Sequence, residues 1–182
     1  MLPQSVAGFR NPQFLKYGTR RQRAAYQVLH QLRIWEVLKE FNIRLAGTIP
    51  IDVDIEGSDL DLICEASSPH LLISLLKRHY HGYMGYSMNL TPDKVIVCRF
   101  QFDGWPIEIY GAAVKVERQR AWVHMIAEWD LLRKRGPMAH AEIRRMKRQG
   151  MKTEPAFARL FGLKGDPYQA LYRMGSHILN SE

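Results

Sequence analysis

The stretch that most constrains this chain is Ser58-Asp59-Leu60-Asp61-Leu62-Ile63-Cys64. In a strand, residues two apart share a face, so Asp59 and Asp61 present both carboxylates on one side. Leu60 and Leu62 face the other way and must be covered by the rest of the chain. Upstream, residues 42–47 (NIRLAG) read as a short strand that ends at a glycine. The connection TIPIDVDIEGS, with Pro50 and Gly57 as breakers, reads as a loop. Gly47-Thr48 closes one strand and Asp59 opens the next, so both are expected at one cleft.

The remaining pattern fits around such a strand. Ala25, Val28, Leu29, Leu32 and Trp35 recur at helical spacing and predict an amphipathic helix over 20–41. Ser68-Pro69 reads as a helix start, with the serine as cap, for a helix running through LLISLLKRHY. Residues 83–90, 94–102 and 105–111 read as three strands, with turns at 91–93 and 103–104. From Glu117 the period becomes helical: Trp122, Met125, Ile126, Trp129 and Leu132 form one stripe ending at Arg133-Lys134-Arg135. Gly136-Pro137 breaks the chain, and helices are expected at 138–149, 154–161 and 167–179, the last opened by Asp166-Pro167. The fold class is α+β: a mixed sheet of about five strands, flanking helices and a helical C-terminal part. Two units are expected, 1–115 carrying the site and 116–182 packed on it.

Two close carboxylates repel each other unless a cation lies between them, and hard oxygen ligands suit Mg²⁺. A bare Asp-x-Asp also occurs by chance on solvated edges. Glu108, between Ile107 and Ile109 in WPIEIYG, adds a third acid in a segment that otherwise reads as buried. Unpaired there, its carboxylate would cost several kcal/mol or titrate to neutral; a metal relieves that cost. The alternative is an edge strand with Glu108 and Pro106 both facing solvent.

Gly47-Thr48, the spaced Asp59-Leu60-Asp61 and an acid on a later strand resemble the nucleotidyltransferase superfamily. Almost the whole chain resembles, more closely, an uncharacterised bacterial family of unknown function within that group. The matching segments are LAGTIPIDVDIEGSDLDLIC, WPIEIYG, QRAWVHMIAEWDLL and KTEPAFARLFGLKGDPYQAL. The resemblance implies Asp59, Asp61 and Glu108 as ligands of Mg²⁺ or Mn²⁺. It implies transfer of a nucleoside monophosphate from a nucleoside triphosphate to a hydroxyl of a small molecule or a protein. Glu108 would sit nearer the acceptor and take its proton; Gly47 would let the backbone approach the phosphates, with Thr48 and Ser58 donating hydrogen bonds to them. The chain departs from the superfamily in two places. Thr48 stands where serine or glycine is usual, and Glu108 where aspartate is usual.

Charge is unevenly spread. Residues 1–50 hold 8 basic and 2 acidic side chains, residues 51–110 hold 4 and 9, and residues 111–182 hold 14 and 7. An acidic centre with basic flanks suggests a cation site beside an anion site. Residues 51–110 offer few bases, so help for the outer phosphates is expected from Lys152 or the Arg144–Arg148 cluster; the alternative for both is a solvated surface. Lys152 does not belong to a P-loop, since Met151 separates it from Gly150. His124 and Glu128, four apart on one helix face, read either as part of an acceptor pocket or as a local hydrogen-bonded pair. His79 and His81 read as ordinary loop residues.

Two rivals to catalysis remain: a nucleotide- or partner-binding module of the same fold, and a nucleic-acid-binding protein using the basic flanks. Nucleic acid is not the favoured partner. No apolar run approaches the ~20 residues of a membrane span, the N-terminus lacks the pattern of a secretory signal, and Cys64 and Cys98 sit in apolar runs as small hydrophobes. A cytoplasmic setting with no membrane partner is the expectation.

Overall fold

The computed structural model describes residues 2–181. Five strands form one mixed sheet: β1 (Arg44–Ala46), β2 (Leu60–Glu65), β3 (Ser87–Leu90), β4 (Ile96–Phe102) and β5 (Trp105–Ala112). Their order is β1-β2-β5-β4-β3. β2 and β5 run parallel, and the other neighbours are antiparallel. Around the sheet lie α1 (Arg20–Gln31), α2 (Ile34–Val37), α3 (Pro69–Tyr80), α4 (Arg120–Arg135), α5 (Pro137–Arg148), α6 (Thr153–Phe161) and α7 (Pro167–Asn180). The fold is α+β, as the alternation of periods predicts. Among the described residues no helix is long and apolar enough to cross a membrane.

The two faces of the sheet feed two cores. Leu60, Leu62 and Cys64 of β2, with Ile107 and Ile109 of β5, pack beneath Leu29 of α1 and Leu72 and Leu76 of α3. On the opposite face Ala46 and Ile63 join Trp122, Ile126 and Trp129 of α4, Ile143 of α5, Phe157 of α6 and Leu171 of α7. The acid pair belongs to this second face, because Asp61 lies between Leu60 and Leu62 on a strict two-residue period.

Several elements depart from the sequence reading, each for a visible reason. The helix expected over 20–41 breaks at Arg33, which adopts a left-handed conformation (φ 52°). The break turns Ile34, Leu38 and Phe41 into the core, and the Tyr80 hydroxyl donates to the freed Leu32 carbonyl at 3.2 Å. β3 starts only at Ser87, because Tyr83 is used in an aromatic stack with Tyr80 and Phe100. Ser68 makes no side-chain cap; the helix opens on Pro69 alone. Asp166 does cap α7, accepting from the Gln169 amide at 2.8 Å. Residues 6–17 form two 3-10 turns that hydropathy did not reveal, and Val6 and Phe9 bury into the second core.

The C-terminal helices close on one another through Gly175. A Cβ there would overlap the Val123 carbonyl of α4, so α4 and α7 touch backbone to backbone. Gly175→Ala should force them apart, at a cost on the order of 1–3 kcal/mol. The expected observation is a lower urea midpoint with an unchanged slope.

Candidate functional site

The site begins with strand register. Ala46 of β1 pairs with Asp61, Asp61 with Glu108, and Glu108 with Arg99 of β4. Register partners share a face, so one row across the sheet carries two acids and an arginine. Asp61 is packed against Gly47, whose φ is +73°; a Cβ there would overlap the Asp61 carboxylate. Only glycine satisfies both conditions. Burial, then the charges of Asp59 and Glu108, push the Asp61 carboxyl up to about 7. Asp59 precedes β2 and is exposed.

Glu108 is not on an edge. β5 is the central strand, which excludes the edge-strand alternative. Its charge is compensated from within: Arg99 Nε and Nη2 both donate to Glu108 Oε2, at 2.7 and 2.6 Å. The sequence contained this pairing. A two-residue turn at Asp103-Gly104, both with positive φ, pairs Phe102 with Trp105 and so carries Arg99 onto Glu108.

The loop between β1 and β2 is held by side chains from far along the chain. Gln22 of α1, itself buried, donates to the carbonyls of Ile49 (2.9 Å) and Pro50 (3.1 Å). Arg21 pairs with the buried Asp54 and stacks on Trp105, its Cζ 4.4 Å from the ring centre. From α5, Arg144 pairs with Asp52, Arg148 with Glu56 at 3.2 Å, and Lys147 Nζ donates to the Val53 carbonyl at 2.9 Å. The basic cluster of α5 is thus neither simply solvated nor free for phosphate: three of its members clamp the acidic loop. Arg145 is the exception, exposed and paired with Glu142 of its own helix at 2.6 Å.

Beside the acids lies a cavity of about 460 Å³. Asp61, Ile63, Glu108 and Tyr110 form its floor, and Arg118 and Arg120, at the entry to α4, stand on its rim. Both arginines are exposed and, among the described residues, make no ion pair. Arg118 escaped the sequence reading because nothing local marks it; the chain returns over the sheet only after Ala112. The apolar part of the lining comes from Ile63, Ala112, Val114 and Ala121.

His124 and Glu128 do not bond to each other. His124 Nδ1 lies 3.4 Å from Glu154 Oε1 of α6, while its Nε2 is buried without a partner. Burial, reinforced by the charge of Glu154, pushes the Glu128 carboxyl well above the usual range. Lys147 is held below its ordinary value by burial, against the pull of Glu128, Asp54, Asp59 and Asp61. It is therefore the internal cation of the acidic centre, a role the sequence did not suggest.

Other expected participants stand further off. The Thr48 carbonyl accepts from the Val53 amide at 3.1 Å, and Ser58 Oγ accepts from the Ile55 amide at 3.0 Å, so both order the loop. Lys152 is exposed before α6 and does not line the cavity. Among the described residues no group of three or more His, Cys, Asp or Glu side chains is gathered to hold a metal. Asp59 and Asp61 nevertheless offer hard oxygens whose mutual repulsion is only partly offset, which fits a divalent ion. Glu108 is occupied by Arg99.

A sequence family described as "Domain of unknown function (DUF4269)" matches residues 27–174. No curated protein matches the sequence. Among solved structures, the polymerase core of TRAMP, a RNA surveillance complex, is similar at a TM-score of 0.51 and 13% identity. The match covers 91% of this chain and 51% of that one. A cytoplasmic RNA terminal U-transferase gives 0.53 and 10%, covering 88% and 49% respectively. The chain spans about half the length of either neighbour. The shared feature is the fold, a nucleotidyltransferase-like mixed sheet with flanking helices.

The state of Asp61 sets a pH dependence. An unfolded aspartate titrates near ~3.9, and in the fold Asp61 does so at about 7. Between these values the folded state binds the proton more tightly, so ionisation costs it stability. In metal-free protein this contribution should fall as pH rises from about 4 to about 7, then level off. Urea unfolding in a chelator should therefore show Asp61→Asn gaining on the wild type at pH 8 and little at pH 5. Parallel curves at both values would contradict the burial of this carboxyl.

Proposed function

Starting from the chain's membership of the DUF4269 family, whose description assigns no activity, we propose that it is a nucleotidyltransferase. It would move a nucleoside monophosphate from a nucleoside triphosphate to a hydroxyl of a small-molecule or protein acceptor. The observation that carries this reading is the juxtaposition of Asp61 and Glu108, in register, with a cavity rimmed by two unpaired arginines. Acids beside free guanidiniums suit a ligand that is anionic and arrives with a cation.

Each group has a distinct task in this reading. Asp59 and Asp61 hold Mg²⁺ or Mn²⁺, and Gly47 gives Asp61 the room to point there. When bound, such an ion offsets charge on the reacting phosphate and polarises it toward attack. Arg118 and Arg120 bind the outer phosphates, aided by the first amides of α4. This role was expected of Lys152 or the α5 cluster; Lys152 does not line the cavity, and Arg144, Lys147 and Arg148 bond to the loop between β1 and β2. Tyr110, Ala112 and Val114 exclude water and shelter the nucleoside. Glu108, oriented by Arg99, takes the proton of the acceptor hydroxyl as that oxygen bonds to the α-phosphorus and the bond to the leaving pyrophosphate breaks. Thr48 and Ser58 keep the loop in shape. His124 and Glu128 remain candidates for the acceptor side, through Glu154 and Lys147.

A second reading keeps the nucleotide and drops the turnover. It is favoured by the Arg99–Glu108 pair, which occupies the third acid. Incubating the protein with ATP, GTP, CTP or UTP and either ion, then measuring pyrophosphate, separates the two. Transfer predicts release with at least one nucleotide, reduced about 100-fold or more by Asp61→Asn. A binding module predicts a melting temperature raised by ion and nucleotide together, with no pyrophosphate. Absence of both effects would sink both readings.

A further inference from the structure

A second groove, of about 630 Å³, lies between the N-terminal 3-10 turns and the helices α1 and α2. Arg10, Lys16 and Arg33 line it together with His30, Tyr26 and Trp35. The chain that builds it is unusual in charge. Residues 1–35 contain six Lys or Arg and no Asp or Glu. The first acid, Glu36, lines the groove but is already paired with Arg33 at 2.6 Å. Arg10 and Lys16 are exposed and, among the described residues, have no ion pair. Residues 1–26 precede the part of the chain that matches the family, so about half of this groove's lining lies outside that match.

Its aromatic side is ordered. Tyr26 and Trp35 stack with ring centres 6.5 Å apart and planes 21° apart, and Lys16 Nζ sits 4.9 Å from the Tyr26 centre. Trp35 is half-buried, so one part of the indole remains open. Arg44 of β1 lies outside the groove's lining, and among the described residues its buried Nε has no hydrogen-bond partner. Burial holds the Arg44 guanidinium below its ordinary value, with Glu117 and Glu65 acting against the shift and Arg10 adding to it.

We propose that this groove binds single-stranded nucleic acid, with bases against the Trp35 face and phosphates on Arg10, Lys16 and Arg33. Flat aromatic surface next to unpaired cations suits unstacked bases on a polyanionic backbone. A duplex hides its base faces, and an acidic peptide has no use for the indole. The proposal holds whether or not the acids of the sheet turn over nucleotide.

The test is fluorescence anisotropy with a labelled 15-nucleotide oligouridylate at several salt concentrations. A blunt duplex of equal length and inorganic polyphosphate serve as competitors. The wild type should bind the single strand with an affinity that falls linearly on a log–log salt plot. Arg10→Ser with Lys16→Ser, both at exposed positions, should weaken binding about tenfold or more and reduce the slope by about 1.4, two phosphates' worth. Trp35→Leu should weaken the oligonucleotide about tenfold and leave polyphosphate unchanged. Trp35→Phe, which keeps a ring in the core, should recover part of that loss if Trp35→Leu folds poorly. The proposal is overturned if the duplex or polyphosphate competes as well as the single strand. It is equally overturned if the serine variants bind like wild type, or if no strand binds at low salt. No triphosphate enters the measurement, so failure here leaves the transfer reading to its own assay.

Discussion

The Asp61 carboxylate rests against the bare Cα of Gly47, and much of the acidic centre is arranged by that contact. It requires β1 to end where it does, the next residue to accept a positive φ, and β2 to pair with β1 in one register. Once Asp61 is fixed there, parallel pairing brings Glu108 alongside, and the tight turn between β4 and β5 delivers Arg99 to Glu108. The repulsion that results is partly offset by protein cations: Arg99 serves Glu108, and Lys147 lies near Asp54, Asp59 and Asp61. The centre therefore folds with its charges partly compensated, leaving Asp59 and Asp61 in excess.

The charge asymmetry of the sequence separates into two populations in the structure. Arg21, Arg144 and Arg148 neutralise the acidic loop and hold it in place. Among the described residues Arg118, Arg120, Arg10 and Lys16 have no ion pair and border two concave surfaces. The net charge of +8 is thus not evenly available to ligands. Its internal share supports the fold, and its open share borders the cavity and the groove.

What could be read in advance follows periodicity. The alternation in Asp59-Leu60-Asp61-Leu62 specified both the strand and its buried face, and the stripe from Trp122 to Leu132 specified α4. The two-residue turn at Asp103-Gly104 implies the Arg99–Glu108 pair, since it sets the register of the hairpin. Other features carry no local signal. The left-handed turn at Arg33 exists because Ile34 and Leu38 must reach a core built by distant strands. His124 meets Glu154 rather than Glu128 because α6 packs across α4, and tertiary contact outcompetes the i, i+4 neighbour. Arg118 joins the cavity through the path of a connection, which no periodicity describes.

The clamp on the loop before Asp59 has a consequence for how the molecule comes into being. Asp52, Val53 and Glu56 find their partners 92 or 94 positions downstream, on α5. During synthesis, the strands, α3 and the α1 contacts to the loop can form while α5 is still unmade, yet the loop's contacts to Arg144, Lys147 and Arg148 must wait until that helix has emerged and docked. Contacts of such long range raise the entropic cost of ordering the loop. The sheet alone assembles Asp61, Glu108 and Arg99, while the full clamp on the acidic loop needs the C-terminal helices. A nascent chain arrested before α5 would carry its carboxylates on an unclamped loop.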